Sequence, residues 1–160
     1  MHPSTQVSPE YFTQVPYRFS ATTLVESTPE KIFDVFEDEN SWPKWAPPIK
    51  QVDWTSEKPY GVGTTRRVTM VGMVGDEVFI EWDYPKVMAF CFTHSSSGLV
   101  ESFAERYELV ALSDGKVALT WTMAMTPKGL GKLSLFLSKP IMGLGLKWML
   151  SRLKNYIESC

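Results

Sequence analysis

The sequence predicts an α+β fold of order β-α-α-β6-α, in which an antiparallel sheet of about seven strands is covered on one side and a long helix closes the chain. Three observations carry this. The stretch from Tyr17 to Trp45 runs from a short strand straight into a capped helix. From Ile49 to Thr126 only strand-length segments follow, separated by turn residues. The last of these alternates strictly, with Val117, Leu119, Trp121, Met123 and Met125 on one face and Ala118, Thr120, Thr122, Ala124 and Thr126 on the other. One buried face and one wetter face are the mark of an antiparallel sheet.

Taken in order, the first sixteen residues read as a loose polar arm, and residues 17–160 as one domain. A strand is expected over Tyr17–Val25. Ser27 and Thr28 then precede Pro29, which suits the first helical position, and Glu30 brings an acid to the helix's positive end. Ile32, Phe33 and Phe36 form the apolar stripe of that helix. Trp42-Pro43 and Pro47-Pro48 break any longer helix and leave room for one short helical turn. Strands are expected at Ile49–Thr55, Thr64–Val71, Asp76–Tyr84, Lys86–His94, Val100–Leu112 and Lys116–Thr126. Gly72 and Gly75 mark one hairpin, Pro85 the next turn and Ser113-Asp114-Gly115 the last hairpin. In the strand from Val100 the same phase puts Phe103, Glu105, Tyr107 and Leu109 inward and Arg106 and Glu108 outward. From Leu130 the chain reads helical. Pro140 lacks a donor and collides with the preceding turn, so it kinks or divides the helix.

Composition narrows the function. A net charge of −2 excludes a nucleic-acid binder with a broad basic face. The charge is uneven, however: Lys128, Lys132, Lys139, Lys147, Arg152 and Lys154 stand against Glu158 alone, while Glu30, Asp34, Glu37, Asp38 and Glu39 cluster near the start. Either these are two complementary solvated faces, or the basic helix meets an anionic surface. Cys91 and Cys160 fit neither a metal-ligand spacing nor a disulfide scaffold, which suits a reducing compartment. The first residues lack the apolar core of a signal peptide, and no uncharged run approaches the ~20 residues of a membrane span, so a cytoplasmic location is expected. Gly129-x-Gly131 lacks the third glycine and the following strand of a dinucleotide site. No metal and no cofactor are expected.

The segments VESTPEKIFDVFEDENSWPKWAP (25–47), GVGTTRR (61–67), EWDYPKVMAF (81–90) and YELVALSDGKVALTWTM (107–123), with the closing helix, resemble the START-like, or Bet v 1-like (SRPBCC), superfamily. The resemblance is to its bacterial polyketide cyclase/dehydrase and lipid-transport branch. It implies a helix-grip fold, a curved antiparallel sheet wrapped around the long, Pro140-kinked C-terminal helix. Between them it implies a hydrophobic cavity closed at one end by the two short helices. Its walls would be Trp54, Arg67, Phe90, Phe92, Phe103, Tyr107, Trp121, Met123 and Met125 from the sheet and Phe136, Met142, Leu146 and Met149 from the helix, with Trp42 and Trp45 as a lid or as an anchor for the short helix. Eight methionines and a chain 13% aromatic make walls able to re-pack around an apolar guest.

Three residues are candidates for chemistry. Glu105 falls between Phe103 and Tyr107 on the inner face, where a carboxylate needs a partner, from Arg66 or Arg67, or takes up a proton. Tyr107 is its neighbour on that face, and His94 ends an aromatic strand, where it either points inward as an acid–base group or is satisfied at the strand end. The leading expectation is a carrier or sensor, monomeric or homodimeric, that binds a lipid or a polycyclic, polyketide-like aromatic. The alternatives are a polyketide cyclase/dehydratase-type enzyme using Glu105, Tyr107 or His94, and an accessory protein docked on a membrane through its basic C-terminal helix.

Overall fold

The computed structural model describes residues 1–160. Its elements are β1 (His2–Pro3), α1 (Tyr11–Gln14), β2 (Tyr17–Val25), α2 (Pro29–Glu37), α3 (Trp42–Trp45), β3 (Ile49–Trp54), β4 (Thr65–Met70), β5 (Met73–Asp83), β6 (Val87–Ser95), β7 (Val100–Ala111), β8 (Val117–Pro127) and α4 (Gly131–Ser159). The main sheet runs β2-β8-β7-β6-β5-β4-β3, antiparallel throughout, with β1 paired to β6. This is the helix-grip architecture that the sequence predicts.

Local chemistry places the elements. Thr28 caps α2 by accepting from the Lys31 N–H, and Pro29 opens the helix. Ile32, Phe33, Val35 and Phe36 then bury its inner stripe. Val71 and Gly72, the latter at φ 77°, turn β4 into β5. Gly75 lies inside β5 instead of in the turn, because the Phe92 ring packs where a side chain would stand, its nearest carbon 2.8 Å from an added Cβ. Gly75, Glu77 and Phe79 alternate inward along β5, and the register shift between Phe79 and Glu81 changes its phase, so that Trp82 also packs on Phe79 and Phe33.

The arm is not loose, which corrects one expectation. Ser4 and Thr5 donate their N–H groups to Thr93 and Glu101 carbonyls, and Phe12 is buried on the outer face of the sheet over Ala89, Cys91, Ala104 and Ala124. Four small side chains make the seat for one ring. The fold therefore has a second, smaller core behind the sheet.

Helix α4 runs unbroken through Pro140, so the proline does not divide it. Its C-terminal half is anchored by Leu146, Leu150, Leu153 and Ile157, whereas Gly131 and Leu135 are the buried residues before Pro140. Gly131 is required by close approach, since a Cβ there would collide with the Leu99 carbonyl oxygen. No helix is long and apolar enough to cross a membrane.

Candidate functional site

Under α3, between the inner face of the sheet and α4, lies a cavity of about 190 Å³. Trp42, Trp45 and Ala46 line it from α3, Pro48 and Ile49 from the link to β3, and Met70 from the end of β4. Phe103, Glu105 and Tyr107 of β7, Trp121 and Met123 of β8 and Met149 of α4 complete it. Ten of its twelve lining residues are hydrophobic, and Glu105 is the only ionisable carboxylate among them. Larger hollows elsewhere on the surface are lined mainly by charged and polar groups such as Glu37, Lys50, Asp53 and Lys58.

Trp42 and Trp45 are held hard. Each is 1% exposed, and the Trp42 indole donates to the Phe36 carbonyl at 3.0 Å. The hydroxyl of Ser41 donates to the Val35 carbonyl, and Arg152 of α4 donates to the Trp45 carbonyl at 3.1 Å. The two rings therefore roof the cavity as a fixed wall.

Glu105 accepts a hydrogen bond from the Tyr107 hydroxyl at 2.9 Å. Burial pushes its pKa up to about 7, helped by the negative charge of Glu77 and opposed by Tyr107 and Arg66. The Trp121 indole also favours the charged form, although its N–H completes no hydrogen bond of normal geometry. Tyr107 is wholly buried, stacked on Trp121 at 5.2 Å. Burial and the adjacent carboxylate hold its hydroxyl protonated, well above the ordinary tyrosine range.

Behind this pair Arg66, which the sequence offers as a partner for Glu105, forms its ion pair with Glu77 instead, a carboxylate that sequence reasoning did not single out. Arg66, 1% exposed, donates to Glu77 at 2.5 Å, and its guanidinium stands 4.3 Å from the Trp42 ring and 4.4 Å from that of Phe90. Burial raises the Glu77 pKa while Arg66 pulls it back. Three buried donors have no partner: Nη1 of Arg66 and the indole nitrogens of Trp45 and Trp121, the two tryptophans both in the cavity wall. A carboxyl poised near neutrality beside unanswered donors can accept, donate or hold one proton against a guest that carries an acceptor oxygen.

Of the residues that the sequence singles out, Trp42, Trp45, Phe103, Glu105, Tyr107, Trp121, Met123 and Met149 converge on the cavity. His94 does not. It is exposed at the end of β6, paired across the sheet with Pro3 and Asp76, so it is no partner for Glu105. Arg67 also faces out, clamping Asp76 at 2.6 and 3.0 Å, because adjacent strand residues point to opposite faces and Arg66 takes the inner one. Phe90 and Phe92 are core, and Trp54 packs between Tyr60 and Phe79. Met125 and Met142 line a separate shallow hollow with Leu99 and Leu135, Leu146 is core, and Phe136 is 67% exposed. Ala46, Pro48, Ile49 and Met70 were missed; the broken Trp-Pro segment before Ile49 was the available signal.

Comparison with known proteins adds the following. The family profile described as "Polyketide cyclase / dehydrase and lipid transport" matches residues 16–158. An uncharacterized protein of Mycobacterium tuberculosis (strain H37Rv) is 41% identical over 160 residues, covering 99% of this chain and 95% of that protein. Among solved structures, a START superfamily protein from Mycobacterium smegmatis superposes with a TM-score of 0.65 at 17% identity, covering 89% of this chain and 94% of the other. The Zhui aromatase/cyclase from a Streptomyces species superposes with a TM-score of 0.67 at 13% identity, covering 89% and 92%. At these identities the two structures show a shared fold.

Proposed function

The chain belongs to the polyketide cyclase/dehydrase and lipid-transport family, and on that premise we propose that it binds a hydrophobic small molecule bearing an acceptor oxygen, as a carrier or sensor, in the cavity beneath α3. The observation that carries this reading is the set of unpartnered donors, Trp45 and Trp121, in an otherwise apolar wall that also holds Glu105. Size sets the guest. An apolar cavity of ~150 Å³ accommodates a benzene ring, so about 190 Å³ suits one or two fused rings or a short acyl chain. A longer lipid or a larger polyketide requires Met123 and Met149 to re-pack.

The test is calorimetric titration with 2-naphthol and with naphthalene. The reading expects saturable 1:1 binding of 2-naphthol, tighter than naphthalene by about tenfold, the worth of one hydrogen bond to an otherwise unpaired group. Equal affinities would remove the polar handle, and no saturable binding would defeat the reading.

One observation favours a second reading, proton-transfer chemistry on a polyketide-like substrate: Glu105 titrates at about 7 beside a protonated Tyr107. Turnover that rises and falls with the protonation of Glu105 and vanishes in Glu105→Gln would select this reading; binding without turnover would select the carrier.

A further inference from the structure

The solvent side of α4 is apolar where a soluble helix is normally polar. Leu130, Leu133, Leu137, Ile141, Leu144 and Trp148 recur every three or four residues and are each 55–81% exposed. That spacing puts them on one stripe, about 27 Å long at 1.5 Å per residue. The opposite side of the same helix carries Leu135, Leu146 and Leu150 into the core. A helix apolar on both sides has a second partner.

The charges around the stripe decide which partner. Lys147 and Arg152 border it on either side and Lys128 precedes it, whereas Lys132 and Lys139 project from the sheet side of the helix, Lys139 over the Tyr17 ring of β2. No acidic residue occurs between Lys128 and Ile157. None of the seven ion pairs of the fold joins these cations to the acidic residues of α2. Two copies of this face brought together would set cation against cation with no carboxylate between them. An anionic bilayer answers both features, since it takes the apolar stripe into its acyl boundary and the bordering cations at its headgroups. Trp148, at the end of the stripe with the Arg152 guanidinium 5.3 Å from its ring, has the character of an interfacial anchor.

We infer that α4 lies flat on anionic lipid, with the Leu130–Trp148 stripe embedded and the bordering Lys147 and Arg152 at the headgroups. The stripe faces away from the cavity-lining Met149, so this docking stands or falls separately from ligand binding.

Sedimentation with vesicles tests it, using phosphatidylglycerol/phosphatidylcholine mixtures against phosphatidylcholine alone. The expected result is retention on the anionic vesicles only, abolished in 1 M salt, where screening shortens to about 3 Å. Lys147→Gln should weaken binding roughly fivefold. Leu137→Asp/Ile141→Asp should weaken it by more than about tenfold. All three side chains are exposed, so thermal unfolding should be unchanged in both variants. No retention, equal retention on neutral vesicles or insensitivity to both variants would overturn the inference. So would light scattering that shows a dimer disrupted by Leu137→Asp/Ile141→Asp, which would assign the face to a second copy.

Discussion

Replacing Glu105 by glutamine should change how stability depends on pH. The carboxyl titrates at about 7 in the fold against an ordinary 4.5, because burial disfavours its charge. Below pH 4.5 it is protonated in the folded and unfolded chain alike, and the stabilisation from the neutral, Tyr107-bonded form is fully present. As pH rises from 4.5 to 7 the unfolded chain ionises first, so stability falls, and above 7 the whole cost of a buried charge is felt. A gap of about 2.5 pH units corresponds to roughly 3 kcal/mol. Glutamine carries no charge and still offers an oxygen to the Tyr107 hydroxyl. Urea unfolding of the wild type and Glu105→Gln at pH 5 and pH 9 reads the difference directly. At pH 5 the two should agree within about 1 kcal/mol, and at pH 9 the variant should be the more stable by about 3 kcal/mol. A stability difference that is the same at both pH values, or a wild type that gains on the variant as pH rises, would refute a Glu105 carboxyl pKa raised by burial.

The remaining predictions concern the parts around that site. Phe12→Ala should cost about 3 kcal/mol in chemical denaturation, as deletion of a buried ring does, whereas an undocked arm would give a change near zero. Arg66→Met should cost about 3–5 kcal/mol by leaving Glu77 buried and unpaired, and Arg66→Met/Glu77→Met should recover most of the loss. A double variant as unstable as the single one would mean that the guanidinium matters through its packing on Trp42 and Phe90 and not through its charge.

The architecture was legible because each element carries its own period. Strict alternation in β8 fixes which residues face inward, and the phase of β7 sets Glu105 and Tyr107 on the same inner face as Trp121. The Ser-Thr-Pro-Glu start of α2 reads directly as a cap. What escaped depends on contacts between distant segments. Arg66 and Arg67 are adjacent, and a phase error of one residue exchanges inside for outside, so only the pairing with β5 tells them apart. The docking of Phe12 depends on four small residues spread over three strands, whose meaning appears only when the sheet assembles. Phe90, Phe92 and Leu146 face inward as expected but fill space, because alternation gives the face and says nothing of where the core leaves a void.

The most direct test of a ligand site beneath α3 is calorimetric titration of Met123→Trp with 2-naphthol. Met123 lines the cavity and keeps some exposed surface, so the larger indole has the void to enter. The variant should unfold at or above the wild-type temperature while losing saturable binding. A folded variant that binds 2-naphthol as tightly as the wild type would place the guest elsewhere and contradict the account.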